Sequence, residues 1–155
     1  MPRIRLEVPV QAQEKANCCW HTAACMIWLY WQTHTGRAGP MNTIDSAYKI
    51  ADVTPLDYAQ YITLAKKVGL SSLAVKNLHT EADLQGYLKN SGPVWANGLW
   101  FGVGHCIVLT GVESGMVYFN DPDKGVKKSN TISWFNEKLY TQWIGCLMVK
   151  NPSAY

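Results

Sequence analysis

The stretch from Gln13 to Trp31, QEKANCCWHTAACMIWLYW, contains the longest apolar helical pattern in the chain. From Trp20 onward, apolar residues recur at three- and four-residue intervals, which is the spacing of the buried stripe of an α-helix. Cys19 therefore lies in the first turn, where backbone N–H groups lack intrahelical partners and the helix dipole is positive. That position favours a thiolate and lowers the pKa of Cys19, so the pattern predicts a nucleophile. Asn17, just upstream, is the predicted N-cap.

Length and composition predict one globular domain over residues 1–155. With 48% hydrophobic and 16% charged residues, the chain is more apolar than a disordered segment. A chain of this length buries roughly 68–70% of its extended surface on folding, so no metal or disulfide framework is required. Helical patterns concentrate before Gly92 and short strand patterns after it, which predicts an α+β domain in which an N-terminal helical part packs on a C-terminal antiparallel sheet.

The predicted elements are short and are separated by Gly, Pro and Asp turns. Beyond the first helix, helical spacing predicts helices over 43–51, 56–68 and 80–89. Strand patterns span 1–10, 94–97, 105–111, 116–120 and 144–149. A hairpin turn is predicted at 113–115.

The net charge of +3 is too small to indicate a nucleic-acid partner. The local cluster of Lys124, Lys127 and Lys128 predicts a solvated loop rather than a site for an acidic partner. The longest uncharged apolar run, 23–31, is far short of the roughly 18 residues that span a bilayer. Because residues 1–10 lack the apolar centre of a signal peptide, we expect a cytoplasmic protein or one secreted without a cleavable signal. A domain cut from a longer polypeptide fits equally.

Cysteine usage predicts reduced thiols, because five is an odd number and the spacing is not that of a small disulfide scaffold. The three cysteines of the first helix, together with His21, point in several directions, and no second ligand pair follows at a short spacing. No metal and no cofactor are predicted. The five cysteines are Cys18, Cys19, Cys25, Cys106 and Cys146.

A thiol nucleophile needs a base, and His105 has the most suitable context among the four histidines, at the start of a predicted strand. A partly buried structural histidine is its alternative role. His21 lies two positions from Cys19, about 200° around a helix, so its ring points away. The other two histidines lie where a solvated ring is ordinary, near a helix end and in a loop: they are His34 and His79.

The predicted hairpin after His105 brings Asn120 and Asp121 back beside the ring. Neighbouring strand residues face opposite sides, so only one of the two faces His105, and Asp121 is the predicted partner. Initiating the turn at Pro122 is the alternative role of Asp121. The same alternation turns Cys106 away from His105, which predicts a core thiol.

These pieces together resemble the catalytic elements of papain-like cysteine peptidases: Gln13, Cys18-Cys19-Trp20, Gly104-His105 and Asn120-Asp121-Pro122. The likeness is greatest to compact bacterial members, the plant-pathogen avirulence effectors and the leader-cleaving peptidase domains of bacteriocin exporters. It covers most of the chain. In the family the residue before the nucleophile is often not cysteine, but the six-residue spacing from Gln13 and the following tryptophan both favour Cys19 over Cys18.

The resemblance implies a papain-like fold and a peptidase mechanism. Gln13 would donate its side-chain amide, with the backbone N–H of Cys19, to the oxyanion of a tetrahedral intermediate. Cys19 would attack a peptide or amide carbonyl, His105 would protonate the leaving amine, and Asp121 would hold the tautomer of His105. The substrate would be a protein or peptide. A bacterial effector or toxin domain of this kind would have a cognate inhibitor or immunity protein.

Two other classes of function fit the same residues. The scaffold and thiol chemistry also serve amidases, glutamine deamidases and transamidases, which attack a carbonyl at the same kind of site. A non-enzymatic binding domain would keep the scaffold without the reaction. The aromatic segment 95–101 precedes His105, and we expect Trp95 in the core and Trp100 on the wall of the substrate cleft.

Overall fold

The computed structural model describes residues 4–74 and 76–155. The predicted N-terminal strand is reduced to β1 (Ile4–Arg5), and residues 1–3 of that prediction lie outside the described residues. The helices are α1 (Cys19–Thr35), α2 (Asp45–Lys49), α3 (Tyr61–Val68), α4 (Glu81–Ser91) and α5 (Ile132–Lys138), with a 3-10 turn at Tyr58–Gln60. The other strands are β2 (Leu70–Ser72), β3 (Val94–Gly98), β4 (His105–Glu113), β5 (Met116–Asp121), β6 (Val126–Thr131) and β7 (Leu147–Lys150).

The strands of the described chain form one antiparallel sheet in the order β2-β7-β3-β4-β5-β6, and β1 pairs with β4. The register of β3 and β4 places Gly98 opposite His105, and that of β4 and β5 places Val108 opposite Asn120. The start of β4 and the end of β5 therefore meet at one end of the sheet. The predicted hairpin between them is confirmed, with its turn after Glu113.

Helices cover both faces of this sheet, and the α+β class is confirmed. Strand alternation divides β4 between two cores, because successive side chains face opposite sides. Cys106 and Val108 pack in the core under α1, and Ile107 and Leu109 pack in the core under α4 and α5. Within residues 4–74 and 76–155, no helix has both the length and the apolar character needed to cross a bilayer.

The start of α1 is fixed by indole hydrogen bonds rather than by a side-chain cap. The N-cap residue is Cys18 and makes no capping hydrogen bond, so the prediction of Asn17 as the cap is wrong. The carbonyl of Asn17 instead accepts from Nε1 of Trp20 at 2.8 Å. Trp95, on β3, donates its Nε1 to the carbonyl of Trp20 at 3.0 Å. The bond from Trp95 joins the first turn of α1 to the sheet.

Three elements were not predicted: β2, β6 and α5. The strand β6 also corrects the prediction that the lysine cluster lies in a loop. Its sequence, VKKSNT, shows no apolar alternation, because an edge strand exposed on both faces needs none. Its backbone pairs with β5 from Met116 to Asp121. Lys127 and Lys128 therefore lie in a strand, and the prediction of a solvated loop is wrong for both.

Candidate active site

A cleft of about 690 Å³ opens where α1 and β4 begin. Cys19 and His105 line it, with Gln13 on the segment before α1. Cys18, by contrast, is buried, and its sulfur contacts the backbone of Lys15 and the hydroxyl of Thr22. The lining is largely aromatic and apolar, and includes Trp20, Tyr58, Tyr61, Phe101, Val103 and Tyr140.

The sulfur of Cys19 faces two residues of β4, Cys106 and His105. The thiol and the backbone N–H of Cys106 contact it, and so does the ring of His105. The bond from the Cys106 thiol contributes most to holding the pKa of Cys19 well below its ordinary value, and the His105 bond and charge add to it against the opposing effect of burial. The site thus favours a thiolate facing an imidazolium.

His105 is oriented by Asp121. Nε2 of the ring and Oδ1 of the carboxylate are 2.6 Å apart, which leaves Nδ1 as the ring nitrogen for Cys19. Burial by itself would lower the pKa of His105, but the hydrogen bond to Asp121 and the contact with Cys19 raise that pKa to about 9. The imidazolium form is therefore favoured at neutral pH.

Asp121 is fully buried, and both of its carboxylate oxygens are satisfied. Oδ1 also accepts from the backbone N–H of Asp123 at 2.9 Å, and Oδ2 accepts from Nζ of Lys128 at 2.8 Å. Burial would raise the pKa of this carboxyl, but the bonds from His105 and Lys128 lower it below its usual value. The neighbouring Asn120 faces away and donates to the carbonyl of Val8.

Gln13 lies in the cleft, but its amide nitrogen is engaged within its own loop. Nε2 donates to the carbonyls of Lys15 and Ala16, each at 2.8 Å, while Oε1 is buried without a hydrogen-bond partner. Exchanging the two amide atoms would set an oxygen against two carbonyl oxygens, so this orientation is required. The structure brings Cys19, His105 and Asp121 together. The amide nitrogen of Gln13 lies in the same cleft, but it is hydrogen-bonded to its own loop.

The contact of Cys106 with Cys19 was not predicted from the sequence. The prediction of a core thiol is confirmed, since Cys106 is buried in the α1 core. Burial raises its pKa well above the ordinary value, so its S–H stays protonated and donates to Cys19. Alternation along β4 predicts which face of the sheet Cys106 occupies. The contact with Cys19 forms only because α1 packs on that face.

A second cysteine–histidine contact provides a contrast. Nε2 of His21 lies 3.5 Å from the sulfur of Cys25, one turn along α1. Burial nevertheless raises the pKa of Cys25 to about 11, and burial lowers the pKa of His21. A neighbouring histidine is therefore not sufficient to activate a thiol in this protein, because here neither group is held in its charged form.

Two expectations about the remaining rings are wrong. His79 is not solvated: it is buried against Tyr87 and Phe135, and its Nδ1 lies 3.2 Å from the hydroxyl of Tyr87. Trp100 is not on the cleft wall but buried, with its ring stacked on Phe135. The next residue, Phe101, lines the cleft instead and lies 6.1 Å from the ring of His105.

The sequence matches the family model described as papain-like cysteine protease AvrRpt2 over residues 2–140. The chain belongs to this family of papain-like cysteine proteases. It is therefore a cysteine-type hydrolase. None of the curated proteins matches the sequence. Among solved structures, a double glycine motif protease from an AMS/PCAT transporter, in complex with its leader peptide, aligns over 96% of this chain and 97% of that one. The two share 18% identity with a TM-score of 0.56, and the predicted papain-like fold is confirmed.

Differential labelling tests the activation of Cys19. At neutral pH iodoacetamide should alkylate Cys19 at least roughly 100-fold faster than Cys25, because only Cys19 is held as a thiolate. Peptide mapping by mass spectrometry after short exposures measures both rates. Cys25→Ser should leave the fast phase intact and Cys19→Ser should remove it. Equal rates at the two sites would contradict the electrostatics of the cleft.

Proposed function

We propose that this peptidase hydrolyses peptide bonds through a Cys19–His105–Asp121 triad and a thioester intermediate. The observation that carries the proposal is the position of His105, between the sulfur of Cys19 on one side and the buried carboxylate of Asp121 on the other. A nucleophile, a proton donor and an orienting acid are the three parts that acyl transfer requires. We further propose that residues 1–155 form one catalytic domain.

The reaction follows from the charges of the free site. The Cys19 thiolate attacks the scissile carbonyl carbon, and the carbonyl π electrons move to oxygen. As the tetrahedral intermediate collapses, the imidazolium of His105 gives its proton to the leaving amine. The neutral ring then takes a proton from water, which attacks the thioester and releases the acid and the Cys19 thiolate. Asp121 stays ionised and holds the ring.

The oxyanion needs donors near the sulfur. The backbone N–H of Cys19 is suitable, because the first helical position has no intrahelical acceptor. We propose Gln13 as the second donor. It would serve by exchanging one of its bonds to Lys15 and Ala16 for a bond to the oxyanion, and its buried, unpartnered Oε1 lowers the cost of reorienting the amide.

The substrate class we propose is a protein or peptide that enters the cleft as an extended segment. Tyr58, Phe101 and Val103 are about half exposed or more at its rim, so they offer apolar contacts to residues flanking the scissile bond. The leader peptide bound by the structural relative supports a peptide substrate. We also propose an effector or toxin role, with a cognate inhibitor or immunity protein that occupies the same cleft.

The pH dependence of cleavage tests the triad. Activity requires the thiolate–imidazolium pair, so kcat/KM should rise through the low pKa of Cys19 and fall as pH passes about 9, where His105 loses its proton. A fluorogenic peptide library supplies the substrate. Cys19→Ser should abolish turnover, with unfolding in urea unchanged within about 1 kcal/mol.

The products distinguish the related chemistries. Mass spectrometry should reveal cut chains, whereas a deamidase would leave the chain intact with a mass gain of about one dalton for each amide converted to a carboxyl, a change that follows from the hydrolysis itself. Cleavage at the wild-type rate by Cys19→Ser would overturn the proposed mechanism. So would a pH optimum that lies outside the range between the lowered pKa of Cys19 and the His105 pKa of about 9.

The role of Gln13 is tested by its truncation. Gln13→Ala should lower kcat by roughly 10²–10³ and leave KM little changed, because an oxyanion donor acts in the transition state. Gln11→Ala is the matched control, since that exposed glutamine precedes the same loop and should retain wild-type rates. A kcat for Gln13→Ala within about threefold of the wild type would remove Gln13 from the oxyanion site.

A further inference from the structure

The carboxylate of Asp121 is held from two sides. Its side chain is 0% exposed, and Oδ1 faces His105 while Oδ2 faces Nζ of Lys128 at 2.8 Å. The backbone N–H of Asp123 supports Oδ1. A buried carboxylate is stable when its oxygens are hydrogen-bonded, and costly when one of them loses its partner. Lys128 is thus the partner that satisfies the oxygen not used by His105.

Lys128 is itself held in place. It lies on β6 opposite Phe119, and its side chain extends along the sheet towards the end of β5. Nζ sits 4.2 Å from the centroid of the Phe101 ring, a cation–π contact that adds to the ion pair. Phe101 in turn lies beside the ring of His105. The ammonium is therefore fixed between an acid and an aromatic ring that both adjoin the catalytic histidine.

The neighbouring lysine provides the comparison. Lys127, also on β6, pairs only loosely with Glu7 at 3.9 Å, and both side chains are mostly exposed. Such a surface pair contributes little to stability. Lys128 is only 39% exposed and its partner is fully buried, so its ion pair with Asp121 is shorter and less solvated than the pair that Lys127 makes.

We infer that Lys128 is a positioning residue of the proposed triad: it fixes Oδ2 of Asp121 so that Oδ1 remains directed at His105. The inference rests on the proposed function. Without the ammonium, the carboxylate can rotate, and the ring it orients loses its fixed direction towards Cys19. A misdirected proton donor slows the chemical step more than it weakens substrate binding.

Through Asp121, Lys128 also affects the pKa of His105. The groups that face His105 and Asp121 are the thiolate of Cys19 from α1 and the ammonium of Lys128 from β6, with Asp123 on the adjoining turn. The hydrogen bond with Asp121 is the main contact that holds the pKa of His105 up against burial. A rotated carboxylate loses that bond, so removing Lys128 lowers the pKa of His105 and moves the alkaline limb of activity downward.

Three variants test the inference on the full chain. Lys128→Met should lower kcat roughly 10-fold or more, leave KM within about twofold and shift the alkaline limb downward. Lys128→Arg keeps a charged donor and should restore most of the rate and the original limb. Lys127→Met, the matched control, should behave as the wild type. Urea unfolding of each variant verifies folding before the rates are compared.

A second readout needs no substrate. The rate of iodoacetamide alkylation of Cys19 against pH reports the titration of both members of the ion pair, and in Lys128→Met the step that belongs to His105 should move downward. If the wild type cleaves no peptide but this step moves, the proposed function fails and the positioning role stands. If folded Lys128→Met has a lower kcat but an unchanged alkaline limb and an unchanged His105 step in the alkylation profile, Lys128 is merely structural. If kcat and both profiles are unchanged, the inference is overturned.

Discussion

The bond between His105 and Asp121 is the contact on which the arrangement of this site depends. It exists because β4 and β5 pair in a register that sets Val108 opposite Asn120, which puts Asp121 on the same face of the sheet as His105. A shift of one residue would turn Asp121 away and present Asn120 instead. The two cores that pack on opposite faces of the sheet make such a shift costly, because it would move the side chains of the shifted strand from one core to the other.

Two opposing effects set the pKa values in the cleft: burial favours the neutral form of each group, and specific hydrogen bonds favour the charged form. Desolvation acts against the thiolate of Cys19, the imidazolium of His105 and the carboxylate of Asp121 alike. Each is nevertheless held in its charged form, because each has a hydrogen-bond partner of complementary character. At the Cys25–His21 contact, on the same helix, burial outweighs the contact between the two groups, and both are favoured in their neutral forms.

Periodicity and spacing predicted much of the fold and the site. The apolar stripe after Cys19, the hairpin after His105 and the alternation of Asn120 and Asp121 are local patterns that the chain expresses directly. The polar edge strand β6 has no such pattern, so the position of Lys128 beside Asp121 was not predictable from sequence. The contact of Cys106 with Cys19 arises from packing between elements distant in the chain, and the engagement of Gln13 with its own loop arises from backbone geometry, so spacing alone reveals neither.

The claim that Cys19 and His105 form an ion pair in the free protein is tested most directly by titrating the thiolate absorbance. The ultraviolet difference between the wild type and Cys19→Ser, followed against pH, isolates that one sulfur from the other four. If the ion pair forms, the thiolate signal is already present at mildly acidic pH, well below the ordinary thiol pKa of about 8.5. A signal that develops only near that ordinary value would contradict the claim.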